Sequence, residues 1–332
     1  MAVLAAYAVP HPPLIIPAIG AGRERGIAAT IRAYHETMCA AAALHPDTVV
    51  IISPHATGYD DFFHISPGAG AEGNFAAFGH PEISVGIEYD EDFVRALSAA
   101  AEENEIPAGT LGERDASLDH GTMIPLAFLS EYLEDAAVKF VRIGISGLPA
   151  YMHALLGQCI AATAKKLGRR TICIASGDLS HRLQAGGPNG FAPEGAEFDR
   201  LCSTFMKAGD FLSLLQIPGS YAETAGHCGL NGLWMLAGVL DCTSMESRLH
   251  SYEGPFGVGY AVASFTVTGA DAGHDFAAQL ARSEDEAIAD LRASEDAYVC
   301  LARKSIEHYV RTHAYMPLPH ELPRELTETC AG

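Results

Sequence analysis

Four short apolar runs recur along the chain, at 2–9 (AVLAAYAV), 47–52 (DTVVII), 139–145 (KFVRIGI) and 171–175 (TICIA). Runs of this length, rich in β-branched residues and without polar alternation, mark strands covered on both faces. The segments between them carry helical periodicity, at 22–44, 90–104, 124–135 and 150–167. Strand and helix in alternation predict an α/β fold, here a three-layer α/β/α arrangement around a mixed, largely parallel central sheet. Helices are further predicted at about 196–207 and 224–240, and the run GVGYAVASFTVTG at 257–269 closes the sheet. The Gly- and Phe-rich stretch 59–79 reads as an irregular excursion with room for a hairpin.

The runs end in a telling way. The first stops at Pro10 and is followed by His11 and two prolines, so that an imidazole leaves a rigid strand end. The second ends in Ser53-Pro54-His55, and the fourth in Ser176-Gly177-Asp178-Leu179-Ser180-His181. Ligand groups in open parallel sheets gather beyond the carboxyl ends of strands, and imidazole is the commonest nitrogen ligand for iron, copper and zinc. One such histidine is most often a turn residue. Two at the ends of two strands point to a metal site on His11 and His55.

Two further loops pair an acid with a histidine. Asp119 precedes His120, and Asp178 precedes His181 by three positions. A nearby carboxylate can orient an imidazole and tune its basicity, which makes His120 and His181 candidates for acid–base work. Asp119 and Asp178 also suit helix caps. Downstream, Glu223, His227 and Cys228 place three ligand-capable groups in six positions. On one continuous helix Glu223 and His227 share a face and Cys228 points about 100° away, so all three do not meet one ion.

Acidic residues outnumber basic ones 41 to 21, a formal charge of −20. Nucleic acid and anionic membrane are excluded as natural partners, because both require positive charge. Eight cysteines are scattered without a C-x-x-C pair, which excludes a zinc ribbon and fits reduced thiols in the cytoplasm. The N-terminus lacks the basic start of a signal peptide, and no run of about 18 apolar residues predicts a membrane span. Walker A, G-x-S-x-G and H-E-x-x-H patterns are absent.

The blocks HPPLIIP at 11–17, ISPHA at 52–56, SLDHG at 117–121, SGDLSH at 176–181 and AGHCG at 225–229 together resemble the signature of the LigB-like class III extradiol dioxygenases and their Memo relatives. The resemblance spans residues 1–270. It implies His11 and His55 as metal ligands, His181 and His120 as active-site acid–base histidines, and Asp178 and Asp119 as their supports. It implies Cys228 as third ligand, as in Memo, where ring-cleaving relatives carry a glutamate; Glu223 and His227 are the alternatives. The implied cofactor is one mononuclear metal, Fe(II) first, with Zn or Cu as alternatives, and the implied substrates are a small aromatic diol and O₂. A Memo-like metal binder without ring cleavage is the second reading, and a zinc hydrolase a weaker third. After an acidic linker and helix at 271–297, residues 298–332 resemble the opening of an AMMECR domain, as found in AmmeMemoRadiSam proteins. A homo-oligomer fits the chain without being fixed by it.

Overall fold

A computed structural model describes residues 2–133, 137–187 and 189–317. Its strands are β1 (Val3–Val9), β2 (Thr48–Ser53), β3 (Phe63–His64), β4 (Gly70–Phe75), β5 (His80–Glu88), β6 (Ala108–Gly109), β7 (Lys139–Gly144), β8 (Thr171–Ser176), β9 (Thr243–Glu253) and β10 (Tyr260–Ala270). Its α-helices are α1 (Pro17–Gly20), α2 (Ala28–Ala43), α3 (Glu91–Glu103), α4 (His120–Ser130), α5 (Ala150–Leu167), α6 (Pro193–Ala208), α7 (Phe211–Leu215), α8 (Gly219–Ala225), α9 (Leu230–Val239), α10 (Phe276–Ala293) and α11 (Ala297–Thr312). The main sheet runs β7-β2-β8-β1-β10-β9. The first four strands are parallel, and β10 and β9 add an antiparallel edge, so the sheet is mixed and mostly parallel as the sequence predicts.

Side-chain size sets what covers each face. On one face Tyr7, Val49, Ile51 and Ile174 pack with Tyr34 and Met38 of α2 and Ile124 and Phe128 of α4 in one fully buried cluster. On the other face, at Ala175, Gly232 of α9 lies so close that a Cβ there would sit 3.2 Å from the Ala175 Cβ. Helices α5 and α9 cross at backbone contact: a Cβ on Gly238 would fall 1.8 Å from the Ala154 carbonyl oxygen. Gly238→Ala therefore sets a helix-propensity gain of about 1 kcal/mol against an overlap that only separation of the helices relieves. The overlap wins, and the expected result is a net loss of about 1–3 kcal/mol, read as a lower urea midpoint with an unchanged slope.

Several boundaries differ from expectation. The helix predicted from about 124 starts at His120, because Asp119 caps it by accepting from Thr122 N. The helix predicted over 224–240 is broken into α8 and α9 at Gly226, whose φ of 66° only glycine adopts freely. The linking residues 226–229 thus leave the helix, and His227 and Cys228 do not obey helical spacing. Strand β9 was not predicted: Glu246, Arg248 and His250 interrupt its apolar pattern, which an edge strand tolerates. The excursion after β2 contains the hairpin β4–β5, a two-stranded sheet of its own.

The chain divides into two compact units, Met1–Ala278 and Gln279–Gly332. Within the second, Asp296 caps α11 through Val299 N, and Arg303 holds Glu295 through two hydrogen bonds of 2.6 and 2.7 Å. The tail 318–332, part of the segment read as AMMECR-like, lies outside the described residues. Among the described residues, no helix is long and apolar enough to cross a membrane.

Candidate metal centre

Strand register brings the predicted blocks to one edge. Val9 pairs with Ser176 and Ile52 with Ala175, so Pro10-His11, Ser53-Pro54-His55 and Gly177-Asp178 leave the sheet side by side. Gly177 N donates to Val9 O at 2.9 Å and Cys228 N to Asp178 O at 3.3 Å, which draws the α8–α9 link onto the same edge.

Four side-chain atoms follow one another along that edge. His11 Nε2 lies 3.0 Å from His55 Nε2 and 3.5 Å from Cys228 Sγ, and Cys228 Sγ lies 3.6 Å from His181 Nε2. His11 Nδ1 is 3.0 Å from Ser176 Oγ. With the Nδ1 proton given to that hydroxyl, the Nε2 lone pair of His11 faces the cluster. The spacing suits an ion. Two nitrogens bound at about 2.1 Å stand about 3.0 Å apart when they subtend about 90°, and a nitrogen with a sulfur at about 2.3 Å reaches about 3.5 Å at about 105°. Two overlapping groups can hold one ion, His11 with His55 and His120, and His11 with Asp178 and Cys228, each set within 4.8 Å; they share His11 alone, so the predicted set of His11, His55 and Cys228 is split between them.

Burial keeps His11, His120 and His181 neutral when no cation is near. His11 is 2% exposed; burial first, and then the His55 ring, push its pKa down to about 3. Burial, and then the His55 ring, bring His120 to about 4, and burial lowers His181 against the opposing Asp178. Neutral imidazoles offer lone pairs to a metal or a proton. The half-buried Cys228 thiol is pushed up by desolvation and then by Asp178, so binding a cation as thiolate would release a proton. Burial raises Asp178 to about 6 against the opposing His11 backbone N–H.

The two acids hold backbone and hydroxyl groups. Asp178 Oδ1 accepts from His11 N at 2.9 Å. Asp119 accepts from Ser53 Oγ at 2.6 Å and from Thr122 N and Oγ1, while Ser53 Oγ accepts from His55 N. Asp119 therefore ties together the loops bearing His55 and His120. Among the described residues, neither carboxylate hydrogen-bonds an imidazole ring. Asp178 caps no helix; it joins His11 and Cys228 as a group able to ligate.

The alternatives for third ligand stand apart. Glu223 is exposed on α8 and belongs to neither group. His227 accepts from Leu230 N at 3.2 Å and stacks on Phe198 at 5.2 Å, closing the start of α9. Sequence reasoning also passed over three residues. Arg142, 1% exposed on β7, donates to Ser117 O and Ser66 Oγ and lies 3.8 Å from Asp119. Phe78 sits 5.4 Å from the His120 ring. Asp199 accepts from Ser180 N and Tyr252 OH, next to His181. The residue types carry no signal for these contacts, which depend on long-range folding.

Burial raises Asp199 from 3.8 to about 7. The unfolded chain loses this proton near pH 4 and the folded one near 7, so between them the folded state binds more protons and stability falls as pH rises. At about 1.4 kcal/mol per unit the penalty is at most about 4 kcal/mol, fully present above pH 7. Asp199→Asn removes the charge. Its melting temperature relative to the parent should rise between pH 5 and pH 8, and a constant difference would contradict the assignment.

This fold and edge define a family. The family described as "Catalytic LigB subunit of aromatic ring-opening dioxygenase" matches residues 5–263, and the chain belongs to it. Among curated relatives, Protein CA_C1420 of Clostridium acetobutylicum is 29% identical over 98% of this chain and 70% of its own length. A 2,3-dihydroxyphenylpropionate/2,3-dihydroxicinnamic acid 1,2-dioxygenase 1 of Pseudomonas putida is 28% identical over 53% of this chain and 56% of its own. The crystal structure of uncharacterized protein JW3007 from Escherichia coli K12 overlays with a TM-score of 0.45 at 15% identity, covering 79% of this chain and 99% of that one.

Proposed function

We propose that this chain is a mononuclear metal-dependent dioxygenase of the class III extradiol type, opening the ring of a small aromatic diol with O₂. The observation that supports the reading is the placement of His55 Nε2 at 3.0 Å and Cys228 Sγ at 3.5 Å from His11 Nε2, beside His181 and His120 at one strand edge, in a chain of the LigB family. His11 and His55 would hold the ion, with Cys228 or the adjacent Asp178 as third ligand. A bound Fe(II) supplies the electron path between diol and O₂ and orients both. The reaction balances without a reductant: the C–C bond beside the diol breaks, and both oxygen atoms enter the product.

The chain's own residues manage protons. Both candidate histidines are kept neutral by burial, so either can take the proton that a hydroxyl releases on binding and return it later. The excess of acidic residues is compatible with a catecholate only where a cation meets its charge. The proposed setting is the cytoplasm.

A second reading rests on Cys228. Its sulfur is 3.5 Å from His11 Nε2, and a thiolate favours Cu(I) or Zn over Fe(II). That reading makes the chain a Memo-like metal binder without ring cleavage, with an AMMECR-like segment beginning near residue 298. The test is oxygen consumption by the Fe(II)-loaded protein across a panel of catechols. Uptake coupled one-to-one to a yellow ring-opened product supports the dioxygenase. Tight copper or zinc with no uptake on any diol favours the second reading.

A further inference from the structure

Four large hydrophobic side chains among the described residues of the first unit are more than a third exposed: Phe78, Leu111, Phe191 and Tyr252. Of these, Phe78 alone contacts a histidine of the candidate centre, its ring 5.4 Å from that of His120 at 67°. His120 in turn lies 4.2 Å from the His55 ring. A phenyl ring is thus held half in water beside the cluster, although exposure forgoes the roughly 25 cal/mol per Å² that burial would give.

The hairpin is built to keep it there. Leu118 N donates to Glu72 O at 3.0 Å, fastening β4 to the loop that leads into His120. Gly73 permits the approach, since a Cβ there would stand 2.4 Å from Leu118 O. Phe75 is fully buried beneath the turn, and Asn74 Oδ1 accepts from Ala76 N at 3.0 Å to shape it. The turn is therefore tied at its base, at its strand and at its tip.

We propose that Phe78 contacts the substrate ring and sets the preference for planar aromatic diols over aliphatic chelators. The inference rests on the diol reading above and adds a residue that neither the metal nor the proton chemistry requires. A diol held at the centre through its two oxygens leaves its ring directed outward, where the phenyl ring meets it. Offset or edge contacts between such rings contribute about 0.5–1.5 kcal/mol, or about 2- to 12-fold in affinity.

The test uses the full chain loaded with Zn(II), which is redox-inert, so binding is read without turnover. Calorimetric titrations with 4-nitrocatechol and with oxalate are compared for the parent, Phe78→Ala and Phe78→Trp. The expected result is 4-nitrocatechol binding weakened about 3- to 10-fold in Phe78→Ala and restored in Phe78→Trp, with oxalate unchanged in all three. Equal weakening for both ligands would make Phe78 a support of the hairpin and overturn the proposal. So would 4-nitrocatechol binding indifferent to the substitution. A parent that holds oxalate but no 4-nitrocatechol would overturn the diol reading, and this inference with it.

Discussion

Replacing His11 and His55 together by alanine is expected to abolish one-to-one metal binding. Their Nε2 atoms stand 3.0 Å apart, and the remaining Cys228, Asp178 and His120 lack His11, the one residue that the two candidate groups share. His11 is buried, so its removal also opens a small cavity, and the double variant needs a fold control by circular dichroism. The single variant His55→Ala supplies another. His55 is exposed, its loss leaves the core intact, and the metal should still dissociate more readily by well over the roughly 10- to 100-fold typical of losing an outer partner. Elemental mass spectrometry reads both. A folded double variant that still carries one metal per chain would remove the site from these residues.

The second large effect concerns the proton. His181→Gln is expected to lower kcat by about 10²- to 10⁴-fold, the usual contribution of a placed acid–base group, while the metal content stays at that of the parent. Its Nε2 is 3.6 Å from Cys228 Sγ, near enough to act on a bound diol. His181 belongs to neither metal-binding group. His120 belongs to one of them, so His120→Gln should lower activity and metal content together if it ligates, and activity alone if it moves the proton. Metal loss in His181→Gln would reassign that residue as a ligand.

What the sequence made legible follows from burial. The runs at 2–9, 47–52 and 171–175 are covered on both faces, so they stand out as unbroken apolar stretches, and their ends place His11, His55 and Asp178 at one edge before any coordinates are known. Strand β9 was hidden because an edge position accepts Glu246, Arg248 and His250. The geometry of Cys228 was hidden for another reason: local periodicity favours one helix through 224–240, and the packing of residues 226–229 against Gly177 and Asp178 decides otherwise. Phe78 is 42 positions from His120, and nothing in its neighbourhood announces the contact. Asp119 is the helix cap that its position suggests, but it holds the His55 loop through Ser53 and not through the imidazole ring.

The central claim is a single ion held by two imidazoles and a sulfur. X-ray absorption at the metal edge of anaerobically purified protein tests it most directly. The account predicts one metal per chain, imidazole scattering at about 2.1 Å and one sulfur at about 2.3 Å. A shell of oxygen ligands without imidazole, or no stoichiometric metal at all, would contradict it.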